Sequence, residues 1–389
     1  MRKVYLDHGA TTPLDEEVLE AMMPFFKEYY GNPSSVHSFG REVKKEVEGA
    51  RERIAKNMGV EPEEVYFTSG GTEADNLALI GTARALKEKG NHIITSAIEH
   101  HAVLDTCAWL KKEGFEVTAL PVDEYGMVNP GDVEEAIKDN TILVSIIYAN
   151  NEVGTIQPIE EIGRITREKG VLFHTDAVQS VGNLPVNVES MNVDLLAISA
   201  HKFYGPKGIG ALYVRKGTRI NRLAHGGGQE RGMRAGTENV PGIIGMAKAM
   251  ELAVSQEEEI TPRIKNLRDR LTQGLLSIED VRLNGHPTKR LPGNVNVSFE
   301  YIEGEAMLLS LDYKGIGASS GSACSSGSMH ASHVLLAMGI PDQTAHGSVR
   351  FTLGRHTTGE DIDYVLEVVP EVVERLRSMS SIYQGRGEK

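Results

Sequence analysis

An α/β fold, with a mostly parallel sheet covered by helices on both faces, is predicted by three features. Short apolar runs alternate with helix-period segments from residue 65 to residue 214, the pattern of strands joined by crossover helices. Hydrophobic residues make up 40% of the 389 residues and charged residues 24%, an ordinary globular balance. One apolar run, Leu195-Leu196-Ala197-Ile198, ends in Ser199-Ala200-His201-Lys202 and then Gly205-Pro206-Lys207-Gly208. It leaves a lysine at the carboxyl end of a buried strand, where open α/β sheets keep their ligands.

Taken in order, Val4-Tyr5-Leu6 predicts a short strand. Residues 15–30 predict an amphipathic helix capped by Asp15. Gly31-Asn32-Pro33-Ser34-Ser35 breaks it, and charge-dense residues 39–58 return to helical period. Val65-Tyr66-Phe67 is a strand, 68–72 a turn and 73–89 a helix. Strands are expected over 92–97, 115–122, 142–148, 171–175, 195–199 and 209–214, with helices over 100–112, 130–138 and 158–169. Residues 225–240 are glycine-rich and carry Arg231 and Arg234, which points to a functional loop. Residues 241–275 are helical and lead into a second region. It holds strands over 294–299 and 348–353, helices over 303–313 and 360–378, and a loop over 317–333.

A net charge of −13 and a pI near 5.5 argue against nucleic acid as a partner. With Cys107 and Cys324 as the two cysteines, no disulfide framework is expected and a reducing compartment is the default. The basic start lacks the apolar stretch of a secretory signal. No run is long enough to span a bilayer, so a cytoplasmic protein without membrane contact is the expectation.

Several residues have the chemistry of a site. Lys202, beside apolar residues, is easily desolvated, and desolvation favours the free amine that forms a Schiff base; a solvated loop lysine is the alternative. Thr68-Ser69-Gly70-Gly71-Thr72-Glu73 joins a strand to a helix, whose N–H groups and dipole suit a phosphate. Its spacing is neither of the common nucleotide-binding patterns, and simple capping by Thr72 is the alternative. Asp176, at another strand end, would complement Lys202 for pyridoxal phosphate, because a carboxylate keeps the ring nitrogen protonated. Gln179 would then donate to the ring's phenolic oxygen; an ordinary helix cap is the other reading of Asp176. His100 and His101 would stack on a flat ring, move a proton, hold a metal with a third ligand, or lie on the surface. Cys324 lies among serines and glycines, a setting that suits a nucleophile. Cys107 sits in a helix and reads as a core residue. Arg355 follows a strand, where it would clamp a carboxylate or form a surface ion pair.

Together these residues resemble the pyridoxal-phosphate-dependent cysteine desulfurases of the NifS/IscS type. The resemblance runs through YLDHGATTP (5–13), GNPSSVHS (31–38), TSGGTEADN (68–76), ANNEVG (149–154), HTDAVQS (174–180), SAHKFYGPKGIGALYV (199–214), GGGQERGMRAGT (226–237), SSGSACSS (319–326) and LGR (353–355). It implies an aspartate-aminotransferase-like fold, fold type I of these enzymes. A large cofactor domain would span 15–259, and a smaller α/β domain of 1–14 and 260–389 would carry the cysteine loop. It also implies a homodimer with sites at the interface. By motif, Lys202 would carry the cofactor, Asp176 hold its ring nitrogen and Gln179 its phenolic oxygen, while His100 stacks and shuttles protons. Gly71, Thr72, Ser199 and His201 would bind phosphate, with Thr237 of the partner subunit. Asn151 would contact cofactor and substrate, and Arg355 and Asn32 the substrate carboxylate. Cys324 would take sulfur from L-cysteine, leaving L-alanine and a persulfide for an iron–sulfur scaffold protein. Its long loop resembles the subgroup that feeds such scaffolds. Cys324 is also a candidate iron–sulfur ligand in a partner complex, and no other metal site is expected.

The sequence departs from the family at His8-Gly9, at Gly71, where alanine is usual, and at His101. Rival readings are an aminotransferase, which has no need of Cys324, and a selenocysteine lyase. A third is an inactive relative using Cys324 with His330 or His333 to hold a metal, against which Lys202 weighs.

Overall fold

The computed structural model describes residues 2–320, 331–380 and 383. Seven strands form the main sheet: β2 (Val65–Thr68), β3 (His92–Ser96), β4 (Glu116–Leu120), β5 (Thr141–Ser145), β6 (Leu172–Asp176), β7 (Leu195–Ser199) and β8 (Gly210–Val214). Their order is β2-β8-β7-β6-β5-β3-β4. Strands β7, β6, β5, β3 and β4 pair in parallel, and β8 runs antiparallel to both of its neighbours. The carboxyl ends of β2, β3, β5, β6 and β7 therefore share one edge. β5 and β7 are buried at every position, which is why their sequences, TILVS and LLAIS, are nearly continuous apolar runs rather than alternating ones.

Helices cover both faces. Ala74, Leu77 and Ala78 of helix Gly71–Leu86, with Val103 and Cys107 of helix His101–Lys112, pack on one face against Ile93, Leu143 and Leu195. Helices Ser38–Met58, Ile159–Lys169 and Val240–Ser255 pack on the other against Phe67, Phe173 and Leu196. The expected helix over 15–30 is two pieces, Glu16–Met22 and Pro24–Lys27, because Pro24 cannot supply the N–H that continuation needs and instead starts a new helix. Asp15 caps the first, accepting from Glu17 N at 2.9 Å.

A second core surrounds an antiparallel sheet ordered β12-β10-β9. It comprises β9 (Val281–Asn284), β10 (Asn294–Phe299) and β12 (Ser348–Thr352), backed by helices Glu257–Leu276, Gly304–Tyr313 and Gly359–Met379. Strand β9 was not expected; it is an edge strand, four residues long and partly exposed, so its apolar signal is weak. β1 (Val4–Tyr5) pairs in parallel with β11 (Ile316–Gly317), and Val4 and Leu6 join this core. The single helix expected over 241–275 divides at Gln256. Val334, Leu335, Met338, Ile340 and Ala345 pack back against Ile98, Ile147 and Val153 of the main-sheet loops. Among the described residues no helix is long and apolar enough to cross a membrane.

The glycine-rich loop is fastened to the main sheet by a buried ion pair. Arg51 donates to both oxygens of Glu230, at 2.9 and 2.7 Å. Glu230 also accepts from Phe67 N at 2.8 Å, and the Arg51 guanidinium lies 4.6 Å above the Phe67 ring. Removing one member strands the other's charge, whereas replacing both with apolar residues does not. Glu230→Ala should therefore destabilise the fold by about 3–5 kcal/mol. Arg51→Met combined with Glu230→Leu should recover most of that loss, as read by urea unfolding.

Candidate active site

The shared strand edge opens on a cavity of about 360 Å³. Each crossover contributes one part of its wall. Gly71 and Thr72 come from the helix after β2, and His100 from the turn after β3. Asn151 follows β5, Asp176 ends β6 with Gln179 just beyond, and Ser199, His201 and Lys202 close β7. Nine of the residues singled out from sequence thus meet in one place. Asp75, Ile147, Val178, Arg350 and the N-terminal residues Gly9 and Ala10 complete the wall.

Lys202 lies beneath the N-terminal segment. Its Nζ donates to the carbonyls of Gly9 and Ala10 at 2.5 and 2.9 Å. Gln179 donates to the same Gly9 carbonyl at 3.0 Å. Thr11 Oγ1 is 3.2 Å from His201 Nδ1, and Thr12 N donates to the His201 carbonyl at 3.0 Å. His100 Nδ1 accepts from Ala102 N at 3.1 Å, so a neutral His100 carries its proton on Nε2.

The helix that begins at Gly71 is capped by Gly70, with no side-chain cap. Thr72 is therefore not the cap, and first-turn N–H groups are left for an anion. Gly71 has a steric reason: a Cβ there would lie 2.6 Å from Val178 Cγ2. Asp176 is 4% exposed. Burial raises its carboxyl above the ordinary range, while His100 and Lys202 pull it down. One of its oxygens accepts from Val178 N at 2.9 Å. Burial and the nearby lysines Lys202 and Lys207 lower the His201 imidazole to about 4. A neutral ring at neutral pH can donate to a phosphate without repelling Lys202. An uncapped helix start at one end of the wall and a buried acid in it fit pyridoxal phosphate.

Four predicted residues stand apart. Arg355 is not in this wall but lines an adjoining cavity that Gly9, Gln179 and Lys202 also border; it pairs with Asp15 at 2.8 Å, and its guanidinium lies 3.7 Å over the Tyr204 ring. Asn32 accepts from Ser34 N at 2.9 Å in an exposed turn. Thr237 is exposed and absent from this wall. Cys324 lies outside the described residues. Sequence reasoning missed Arg350, which does line the cavity. It donates to the Asn151 carbonyl at 2.8 Å and to Asp7 at 3.0 Å, with its side chain 3% exposed. A signal was available: an arginine in the middle of the short strand SVRFT is an expensive residue to bury without a purpose. Cys107 is a core thiol, pushed up to about 12 by burial.

The contact at Gly71 is testable. Gly71→Ala should cost about 1–3 kcal/mol by overpacking, read as a lowered midpoint in urea. Val178→Ala in the same chain should restore most of it by clearing the space for the new methyl.

Residues 4–365 match the family Aminotransferase class-V. The chain is 58% identical over 381 residues to a protein named cysteine desulfurase IscS from Methanosarcina thermophila, covering 98% of this chain and 94% of that protein. It is 57% identical to one of the same name from Dictyoglomus turgidum, covering 98% of each. A solved structure titled NifS-like protein superposes with a TM-score of 0.92 at 43% identity, over 96% of this chain and all (100%) of that one. The chain belongs to the aminotransferase class-V family, among the pyridoxal-phosphate-dependent cysteine desulfurases of the NifS/IscS type.

Proposed function

We propose that this chain converts L-cysteine to L-alanine and keeps the sulfur as a persulfide on Cys324 for iron–sulfur cluster assembly. The observation that carries the reading is Lys202 and Asp176 on adjacent strand ends of one cavity whose helix start has no side-chain cap. Pyridoxal phosphate, when bound, supplies an electron sink for the substrate amine's α-carbon. Asp176 would hold its ring nitrogen and Gln179 its phenolic oxygen. Gly71, Thr72, Ser199 and His201 would hold its phosphate.

Lys202 Nζ is the base for the substrate Cα proton once the amine is free, and the Gly9 and Ala10 carbonyls hold that free amine in place. His100 Nε2 carries a second exchangeable proton at the cavity wall. Arg350 takes the substrate carboxylate role expected of Arg355, with Asn151 fixed against it. Cys324 Sγ, as thiolate, then attacks the substrate sulfur. The Sγ–S bond forms, the substrate Cβ–S bond breaks, and the carbon skeleton takes up a proton to leave as L-alanine.

We further read the chain as a homodimer. Phe26, Tyr30, Val36 and Phe39 are 58%, 70%, 87% and 54% exposed within one short stretch, a concentration of apolar surface that marks an interface. Thr237, exposed and away from its own cavity, would serve the site of the other subunit. The division into 15–259 and 1–14 with 260–389 is supported by the second core, which recruits Val4 and Leu6. A scaffold protein in the cytoplasm as sulfur acceptor follows from the family reading.

The test is incubation with L-cysteine, measuring alanine and sulfide together. Wild type should form alanine and place added sulfur on the Cys324 peptide, and a thiol reductant added afterwards should release that sulfur as sulfide, its own thiols being oxidised to disulfide. Cys324→Ser should lose alanine formation by at least about 100-fold, since a hydroxyl is a poor acceptor of sulfur. Arg350→Gln should raise KM for L-cysteine at least about tenfold and Arg355→Gln by less than about threefold. Normal turnover by Cys324→Ser would favour a lyase or aminotransferase.

A further inference from the structure

Two buried ionisable side chains at or behind the cavity wall, Asp75 and His174, have no part in the proposed reaction. His174 and Asp176 are two apart on β6, so they share one face of the sheet. His174 is 0% exposed and Asp75, from the helix Gly71–Leu86, is 1% exposed. Asp75 and Asp176 line the same cavity. His174 Nδ1 lies 2.8 Å from Ser145 Oγ. Its Nε2 lies 3.5 Å from Asp75 Oδ1, and neither of these two atoms has a hydrogen-bond partner elsewhere in the described chain. Two buried polar atoms that face each other in this way call for a proton between them.

Charge decides which group holds it. Asp75 lies against His174 of β6 and feels the carboxyls of Asp176, at the end of β6, and Glu99, after β3; His100 and Lys202 line the same cavity and act on Asp176. Burial pushes the Asp75 carboxyl well above its ordinary range, and Asp176 and Glu99 push it the same way. Asp176 is raised by burial too, but His100 and Lys202 offset this. Burial lowers the His174 imidazole to about 3, so the ring is neutral. Two neighbouring carboxylates in a dry site do not both ionise.

We propose that Asp75 is a positioning residue that stays protonated against His174, so that Asp176 alone carries the negative charge presented to the cofactor's ring nitrogen. This rests on the cofactor reading above.

The variant that tests it is Asp75→Asn, which keeps the size and cannot ionise. The readouts are the urea midpoint of the cofactor-free chain from about pH 5 to pH 9, and the equilibrium Kd for pyridoxal phosphate by dialysis. A carboxyl raised on folding contributes stability that is present below the ordinary carboxyl range and is lost as pH rises through its folded value. Wild type should therefore lose more of its midpoint towards alkaline pH than Asp75→Asn. The variant's Kd at pH 7 should stay within about threefold of wild type. Should Asp75→Asn fail to fold, Asp75→Ser is read in the same way for the midpoint. Superimposable midpoint profiles, or a Kd at pH 7 weakened more than about tenfold, would overturn the proposal. If neither protein binds pyridoxal phosphate, the cofactor reading fails, while the midpoint comparison still judges the proton on Asp75.

Discussion

The capture of Lys202 by two backbone carbonyls, those of Gly9 and Ala10, is the contact on which the rest of the site depends. Lys202 ends β7 of the main sheet, whereas Gly9 and Ala10 lie beyond β1, which belongs to the second core. The segment between them is pinned from both sides. Gly9 N donates to Thr352 Oγ1 at 2.7 Å, Thr352 N to Leu6 O at 2.7 Å, and Tyr204 N to Thr12 Oγ1 at 2.8 Å. The N-terminus is thus a strap across the junction of the two cores. Its position fixes the lysine, and through Gln179 and His201 the neighbouring parts of the wall.

The second constraint is electrostatic. Asp75, Glu99 and Asp176 are all buried near one another, and burial pushes the Glu99 carboxyl up to about 8. Glu99 is held by Ser96 and by Ile147 N, at 2.5 and 3.0 Å, and its own backbone carbonyl accepts from His333 at 3.0 Å. With Asp75 and Glu99 pushed towards the neutral form by burial, Asp176 is the acid of this group that His100 and Lys202 draw towards the charged form, and a buried carboxylate favours a positively charged ligand atom beside it. That is the requirement of a ring nitrogen kept protonated. The main-sheet topology gathers these acids because the parallel strands bring their carboxyl ends to the same edge.

Much of this was legible in the sequence. The buried strands are apolar runs closed by glycine or polar residues, so the ends that carry Asp176 and Lys202 could be placed. His100 came from the turn that follows such a run, and Asn151 from the family resemblance alone. What was not legible depended on direction within an element. Arg350 and Arg355 are close in sequence, yet one lines the main cavity from β12 and the other pairs with Asp15 beside an adjoining cavity that shares Lys202. Asp75 and His174 sit inside a helix and a strand whose periodicity predicts core, and the partner that makes each intelligible comes from a distant segment. β9 and the break at Gln256 escaped because an edge strand and a single polar residue between two helical runs leave little local signal.

The proposed function requires Lys202, and no other lysine, to be the covalent anchor of the site. Borohydride reduction of the protein loaded with pyridoxal phosphate, followed by peptide mass spectrometry, tests it directly. A pyridoxyl adduct is expected on the peptide containing Lys202, present at one per chain and absent in Lys202→Ala. An adduct confined to Lys207 or another lysine, or equal labelling of Lys202→Ala, would contradict it.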